Sequence, residues 1–110
     1  MAIDVQAILN TITTGISNLA QSTLKGYLPQ AEADGQNIVN AMKANVQTWT
    51  GQLTSGQISP DDLKFLISGN EELLKIDALT QAGIAAITLD QFKQGVVNIV
   101  VTALTSAIKI

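Results

Sequence analysis

The sequence predicts an all-α protein, organised as a helical hairpin or a small four-helix bundle. Apolar residues recur at steps of three and four along most of the chain, and no stretch shows the alternation typical of strands. The 110 residues are enough for one domain with a modest core. The last segment has an apolar face about half of a helix circumference wide, so it needs at least two packed neighbours. The predicted helices cover residues 3–28, 31–53, 60–67, 71–87 and 89–109 of a single domain, 1–110.

The first arm of the predicted hairpin runs to residue 53 and contains Pro29 near its middle. A proline inside a helix costs about 3 kcal/mol and disfavours helix in the residue before it. However, the apolar stripe continues past Pro29 at helical spacing, and no Asn, Asp or glycine-rich turn lies at that position. We therefore favour one long helix kinked at Pro29 over two helices joined by a turn. Gly35 lies in the same stripe and weakens the second half by about 1 kcal/mol relative to alanine.

The chain is predicted to reverse direction between residues 54 and 59, where Ser55-Gly56 favours a turn. Ser59 is the predicted N-cap of the third helix, and Pro60 suits its first position. The acidic pair Asp61-Asp62 follows in the first turn, where carboxylates interact favourably with the positive end of the helix. This segment therefore begins the return arm.

The return arm is predicted to be broken rather than continuous. Gly69 suits a left-handed cap at the end of the third helix, and Asn70 suits the N-cap of the fourth, with Glu71-Glu72 in its first turn. Thr88 with Gln91 three residues later is a capping-box pattern for the last helix. Small residues also allow close helix approach, and the glycines that suit this role in the return arm are Gly83 and Gly95.

The composition excludes several classes of function. The net charge is −3, there is no Arg, and the six Lys are isolated, so the chain lacks the basic face that nucleic-acid binding requires. His and Cys are absent, which removes the commonest general base, the thiolate nucleophile and the zinc–thiolate site. We therefore expect no enzymatic activity, no catalytic residues and no cofactor.

The two pairs of adjacent carboxylates, Asp61-Asp62 and Glu71-Glu72, are the candidate ligands for a hard cation such as Ca²⁺ or Mg²⁺. Neighbouring residues on a helix point about 100° apart, so such a pair does not converge on one ion. The spacing of a calcium-binding loop is also absent. The pairs are therefore interpreted as residues that stabilise helix N-termini, and no metal site is expected.

The width of the last apolar face predicts self-association. Each Val, Leu or Ile left in water forgoes roughly 1.5–3 kcal/mol of burial, and the far end of this face is expected to remain uncovered within one copy. We therefore predict a dimer or higher oligomer, or contact with another helical protein. Trp49 is either a core residue or an anchor for a partner. The candidate interface residues are Val97, Val101, Leu104, Ile108 and Trp49.

The alternative class is a membrane-active helical protein, either a pore-former or a lipid binder. Helices that bind membrane surfaces usually carry many Lys or Arg on the polar face, whereas the last helix offers only Lys93 and Lys109. This difference favours protein partners over a membrane. The sequence also shows no secretory signal pattern and no apolar run long enough to span a bilayer, so a cytoplasmic location is expected.

Two resemblances involve the region around Trp49. Trp49-Thr50-Gly51 resembles the Trp-x-Gly turn of the helical-hairpin substrates of type VII secretion, which are also short, acidic and free of Cys; the resemblance implies a small secreted hairpin. The chain departs from that pattern after Gly51, and its only Tyr is Tyr27 rather than a C-terminal signal residue. The chain is also similar to small uncharacterised helical proteins of Bacteroidetes bacteria, which supports the hairpin and implies no mechanism. That second similarity rests on Trp49, Leu53, Ser55-Gly56, Asp61-Asp62-Leu63 and Gln81-Ala82-Gly83 through Asn98.

Overall fold

The computed structural model of the protein describes residues 4–70 and 73–108, and these residues form five α-helices and no strand. The predicted all-α class is confirmed, with long helices packed against one another. The longest helix has 27 residues and a length of about 40 Å, close to the 43 Å long dimension of the molecule. The helices are α1 (Val5–Thr23), α2 (Leu28–Thr54), α3 (Pro60–Ser68), α4 (Asp77–Gln81) and α5 (Ala86–Ile108).

The chain breaks before Pro29, so the interpretation as one long kinked helix is wrong. α1 ends at Thr23, Leu24 leaves helical geometry with φ −131° and ψ 42°, and a single 3₁₀ turn covers Lys25–Tyr27. Pro29 lies in the first turn of α2, where a backbone N–H would have no acceptor within the helix, so the N–H that proline lacks is not needed there. The physical reason is that α1 and α2 pack side by side, so their two apolar stripes cover each other.

α1, α2 and α5 form the centre of the bundle. α1 runs antiparallel to α2, since Ile16 lies beside Gly35 and Ala20 shares a groove with Ala31. α5 packs on α1 and also contacts α2 and α3, so its wide apolar face has the several neighbours that the sequence required. The buried residues of α5 are Phe92, Val96, Val97, Val100, Ala103 and Leu104.

The predicted start of the third helix is confirmed in detail. The Ser59 hydroxyl accepts a hydrogen bond from the Asp62 backbone N–H at 3.1 Å, and the Asp62 carboxylate accepts one from the Ser59 backbone N–H at 2.9 Å. This reciprocal pair is a capping box, with Pro60 in the first turn. The helix ends at Ser68, one residue beyond the predicted end, but Gly69 has φ −83° and therefore does not form the predicted left-handed cap.

The predicted helix 71–87 is mostly not helical. Its first two residues, Glu71 and Glu72, and their predicted place in a first turn lie outside the described residues. Residues 73–76 are not helical, and the next described helix begins at Asp77, so Asn70 does not cap it. The reason is burial: Leu73, Leu74 and Ile76 are all buried. On a helix Leu73 and Ile76 would share one side, but Leu74 would point about 100° from Leu73 and about 160° from Ile76, so one stripe would not bury all three.

A turn separates α4 from α5. Gly83 has φ +82°, a conformation that favours glycine, and no atom lies near enough for the predicted role in close helix approach. α5 begins at Ala86, and the Ala85 carbonyl accepts its first hydrogen bonds, from the N–H groups of Thr88 and Leu89. Thr88 therefore lies inside the helix, and the predicted capping box with Gln91 does not mark its start. The final helix continues to Ile108; the predicted end at 109 lies outside the described residues.

Candidate interaction surface

The face of α5 that was expected to need a second copy is largely covered within one copy. Val97 and Leu104 are buried, as is Trp49 on α2. Val101 is partly buried and packs against the core, and Ile108 is partly buried. The prediction expected a broken stripe from the return arm to leave part of this face open, whereas α3 packs on α5 together with α1 and α2. Contact with a partner through Val97 or Leu104 would therefore require the bundle to open, and self-association stays a prediction.

The close approach of α1 and α5 depends on two glycines. A Cβ atom at Gly15 would lie 2.7 Å from Ile99 Cγ2, and one at Gly95 would lie 2.6 Å from Leu19 Cδ2. Each helix thus presents a glycine and, four residues later, a branched side chain that lies over the glycine of the other helix. The predicted close approach at Gly95 is confirmed. This arrangement brings α1 near enough to cover the face that was expected to stay open.

Asp34 is a buried carboxylate that the sequence interpretation missed. It is 1% exposed on α2, and its two oxygens accept hydrogen bonds from the backbone N–H groups of Ala78 at 3.1 Å and Leu79 at 2.8 Å. These N–H groups open α4, and the residue before that helix, Ile76, provides no side-chain cap. Asp34 therefore caps α4 from another helix and fixes its position on α2. The sequence feature that could have indicated this buried carboxylate was an Asp within the apolar stripe, at the position before Gly35.

The carboxylates at the start of α3 have an observed role in capping. Asp61 and Asp62 are exposed, and one oxygen of Asp62 accepts the capping hydrogen bond from Ser59. Across residues 4–70 and 73–108, no group of three or more His, Cys, Asp or Glu residues is placed to hold a metal ion. Glu71 and Glu72 lie outside this range, so their predicted role is not described.

Two of the four exposed large apolar side chains in the described residues lie on α3, and the other two are Tyr27 and Ile87. Phe65 is 83% exposed and its neighbour Leu66 is 47% exposed. The buried residues of α3 are Leu63 and Ile67, and a residue two positions from each points about 200° away from it along the helix. Phe65 consequently lies on the outward side of α3, directly opposite the core. A Phe at the centre of the outward side of an amphipathic helix was the signal available in the sequence.

A surface cleft of about 400 Å³ lies beside the start of α3. It is formed where α2 ends, α3 begins and α5 ends. The Thr105 hydroxyl donates a hydrogen bond to the Val101 carbonyl at 2.8 Å, so this polar group is already paired within its own helix. Ile108, one of the predicted interface residues, forms part of the wall. The lining residues are Leu53, Ile58, Pro60, Thr105, Ser106 and Ile108.

Comparison of the chain with protein-family models, curated proteins and solved structures found no match. The two resemblances stay predictions, with one structural correction. Trp49-Thr50-Gly51 is helical and lies inside α2, so the turn implied by a Trp-x-Gly motif does not form there. The chain reverses after Thr54 instead, where Gly56 has φ +79°.

No helix in residues 4–70 and 73–108 combines the length and apolar character needed to cross a bilayer. The expected cytoplasmic location stays a prediction.

Proposed function

We propose that this chain is a non-enzymatic interaction protein that self-associates through apolar side chains on the outward side of α3. The observation that carries the proposal is the 83% exposure of Phe65, next to the exposed Leu66. Burial of a large aromatic side chain lowers the free energy, and aromatic residues are enriched at the centres of protein interfaces. The proposal keeps the predicted class of function and moves the contact surface from α5 to α3.

The low charge of the chain also supports self-association. Residues 5–24, which include all of α1, carry no charged side chain, and the net charge of the whole chain is only −3. Copies of such a chain repel one another weakly, and a small net charge favours association. The chain has no His, Cys or Arg, which supports a role in binding rather than in catalysis.

The exposed surface indicates a weak complex. Burial of one Phe side chain is worth about 1.5–3 kcal/mol, so two copies of Phe65 contribute about 3–6 kcal/mol to a two-fold dimer. Association opposes this gain with at least about 4 kcal/mol of lost translational and rotational freedom. Leu66 and neighbouring contacts must supply the rest. We therefore expect a dissociation constant between micromolar and millimolar, where the standard free energy lies between about −8 and −4 kcal/mol.

Sedimentation equilibrium of the full chain tests this proposal, because it measures the mean mass as a function of protein concentration. We expect the mean mass to rise from the monomer value of 11.6 kDa toward twice that value as the concentration rises from micromolar to millimolar. A constant monomer mass across this range would refute self-association.

The membrane-active alternative is tested separately by flotation with vesicles. We expect the protein to stay in the dense fraction with neutral lipid and with anionic lipid. Recovery with the vesicles, combined with a monomer mass in solution, would favour the lipid-binding alternative.

A further inference from the structure

Asp34 and Gly35 are adjacent in α2 and form the only Asp-Gly pair in the sequence. Glycine has no Cβ, so in a flexible chain its backbone nitrogen is open to reaction with the carboxyl group of the preceding aspartate. We propose that Asp34-Gly35 is a latent site of spontaneous isomerisation, which the folded chain keeps unreactive and which unfolding exposes. The rearrangement converts Asp34 to isoaspartate and thereby blocks refolding.

The reaction needs only these two residues and water. The Gly35 backbone nitrogen attacks Cγ of Asp34 in its acid form, so that an N–C bond forms and a C–O bond breaks. The departing hydroxyl leaves with the Gly35 amide proton as water, which closes a five-membered succinimide ring. Water then adds to one of the two ring carbonyls. Addition at Cγ restores aspartate, whereas addition at the former main-chain carbonyl gives isoaspartate, so the two products are isomers.

The geometry of α2 holds the reacting atoms apart. Ring closure requires the Gly35 nitrogen to eclipse the Asp34 side chain across the Cα–C bond, whereas a helical ψ of about −42° keeps the two apart. The same nitrogen donates its proton to the Ala31 carbonyl in the helical hydrogen-bond pattern. Both restraints are lost only when this turn of α2 opens.

Two neighbouring helices add to this protection. Both Asp34 oxygens are engaged, because they accept hydrogen bonds from the Ala78 N–H at 3.1 Å and from the Leu79 N–H at 2.8 Å. α1 packs so closely on the glycine that a Cβ at Gly35 would lie 3.0 Å from Ile16 Cγ2. Asp34 is also buried, which limits the access of the water that the second step requires. The reaction therefore requires α4 to leave α2 and α2 itself to open.

Isoaspartate at position 34 is expected to prevent the return to this fold. The main chain then runs through Cβ and Cγ, which adds one atom to the backbone and interrupts the hydrogen-bond pattern of α2. The remaining carboxylate is attached directly to Cα, one carbon shorter than the Asp34 side chain that caps α4. A chain that stays unfolded for long enough thus leaves the folding equilibrium, and the working lifetime of the protein depends on how rarely it unfolds.

Peptide mass spectrometry of the full chain tests this inference. The protein is incubated at neutral pH in buffer and in unfolding urea, digested under acidic conditions and analysed by fragmentation that distinguishes aspartate from isoaspartate. Asp90, which precedes Gln91, is the internal control. In urea, we expect isoaspartate to accumulate faster at position 34 than at position 90. In buffer, we expect the rate at position 34 to be at least about a thousandfold lower, because a stable domain is unfolded no more than about 10⁻³ of the time.

Two variants separate the effect of unfolding from the effect of local sequence. Leu79→Ala removes a fully buried side chain of α4. We expect it to raise the rate in buffer by the same factor by which it raises the unfolded fraction, which circular dichroism in a urea titration measures. Gly35→Ala is compared with wild type in unfolding urea, where packing has no influence. We expect it to slow the reaction there, because the added Cβ hinders the attacking nitrogen.

Each outcome decides one step. Similar rates at position 34 in buffer and in urea would overturn the protection by the fold. Equal rates at positions 34 and 90 in urea, or an unchanged rate in Gly35→Ala, would overturn the assignment of the site. An isomerised chain that is separated from the intact chain and refolds with wild-type stability would overturn the block to refolding. A rate in Leu79→Ala far above its unfolded fraction would show that opening of α4 alone is enough and would overturn the role of α2.

Discussion

The substitution Gly95→Ala tests whether the contact between α1 and α5 depends on the absence of a side chain. The new Cβ would lie 2.6 Å from Leu19 Cδ2, 3.0 Å from Cδ1 and 3.4 Å from Cγ. The two Cδ atoms are too close and Cγ is at an ordinary contact distance, so both methyl groups of Leu19 must shift or the helix must move. Such overpacking typically costs about 1–3 kcal/mol.

A second effect acts in the opposite direction and needs a control. Alanine is favoured over glycine inside a helix by about 1 kcal/mol, so Gly95→Ala is expected to change the stability by between about 0 and −2 kcal/mol. Gly51→Ala in α2 provides the control, because Gly51 is also helical and a Cβ there meets nothing within 4 Å. We expect Gly51→Ala to raise the stability by up to about 1 kcal/mol. The difference between the two variants, about 1–3 kcal/mol, isolates the overpacking.

Urea unfolding followed by circular dichroism measures this difference at constant conditions. The double variant Leu19→Ala plus Gly95→Ala completes a double-mutant cycle. Gly95→Ala should lower the stability less in the Leu19→Ala background than in the wild-type background, because the clashing atoms are gone. A Gly95→Ala protein as stable as Gly51→Ala would show that α5 does not lie against Leu19 in the way described.

The remaining predictions concern the caps, the break and the carboxylates. Asp34→Asn should lower the free energy of unfolding by about 1.5–3 kcal/mol in urea titrations, because the amide has one acceptor oxygen for two N–H groups. The control Asp4→Asn keeps the one acceptor that its cap uses and should stay within about 0.5 kcal/mol of wild type. Equal losses in the two variants would contradict the double cap by Asp34. Pro29→Ala should not raise the melting temperature, since Pro29 opens α2 and interrupts no hydrogen bond; a clear rise would support a continuous kinked helix. Ca²⁺ and Mg²⁺ should leave the melting temperature unchanged, and a saturable rise that is lost in Asp61→Asn plus Asp62→Asn would reveal a metal site.

Local sequence patterns were sufficient for the helix class and for the start of α3. The capping hydrogen bonds join Ser59 and Asp62 to each other, so this arrangement depends on residues that are adjacent in the chain. The break at Leu24 is different, because the apolar stripe continues past the local signals that follow it, Gly26 and Pro29. Its position depends on how α1 and α2 pack, and this packing energy is invisible in either stripe considered alone.

The same distinction explains the return arm. Helical spacing suggested a continuous helix over 71–87, but Leu73, Leu74 and Ile76 are each buried by neighbours that are distant in sequence. Burial of three closely spaced apolar side chains is worth several kcal/mol, more than the propensity of a few residues for helix. Asp34 was missed for a related reason: its two partners lie 44 and 45 residues away, and only the tertiary structure brings them together.

The candidate interface moves from α5 to α3 because the bundle covers α5 more completely than the sequence predicted. The sequence correctly showed that α5 presents more apolar surface than one stripe covers, but it could not show how near the other helices approach. Gly15 and Gly95 let α1 and α5 come together, and α3 covers a further part of α5 with Leu63 and Ile67. Because α3 uses its inner side for this purpose and consists of only nine residues, Phe65 lies on the side that no described helix covers. The most exposed large apolar side chain of the described residues therefore lies on the outer side of the helix that closes the core.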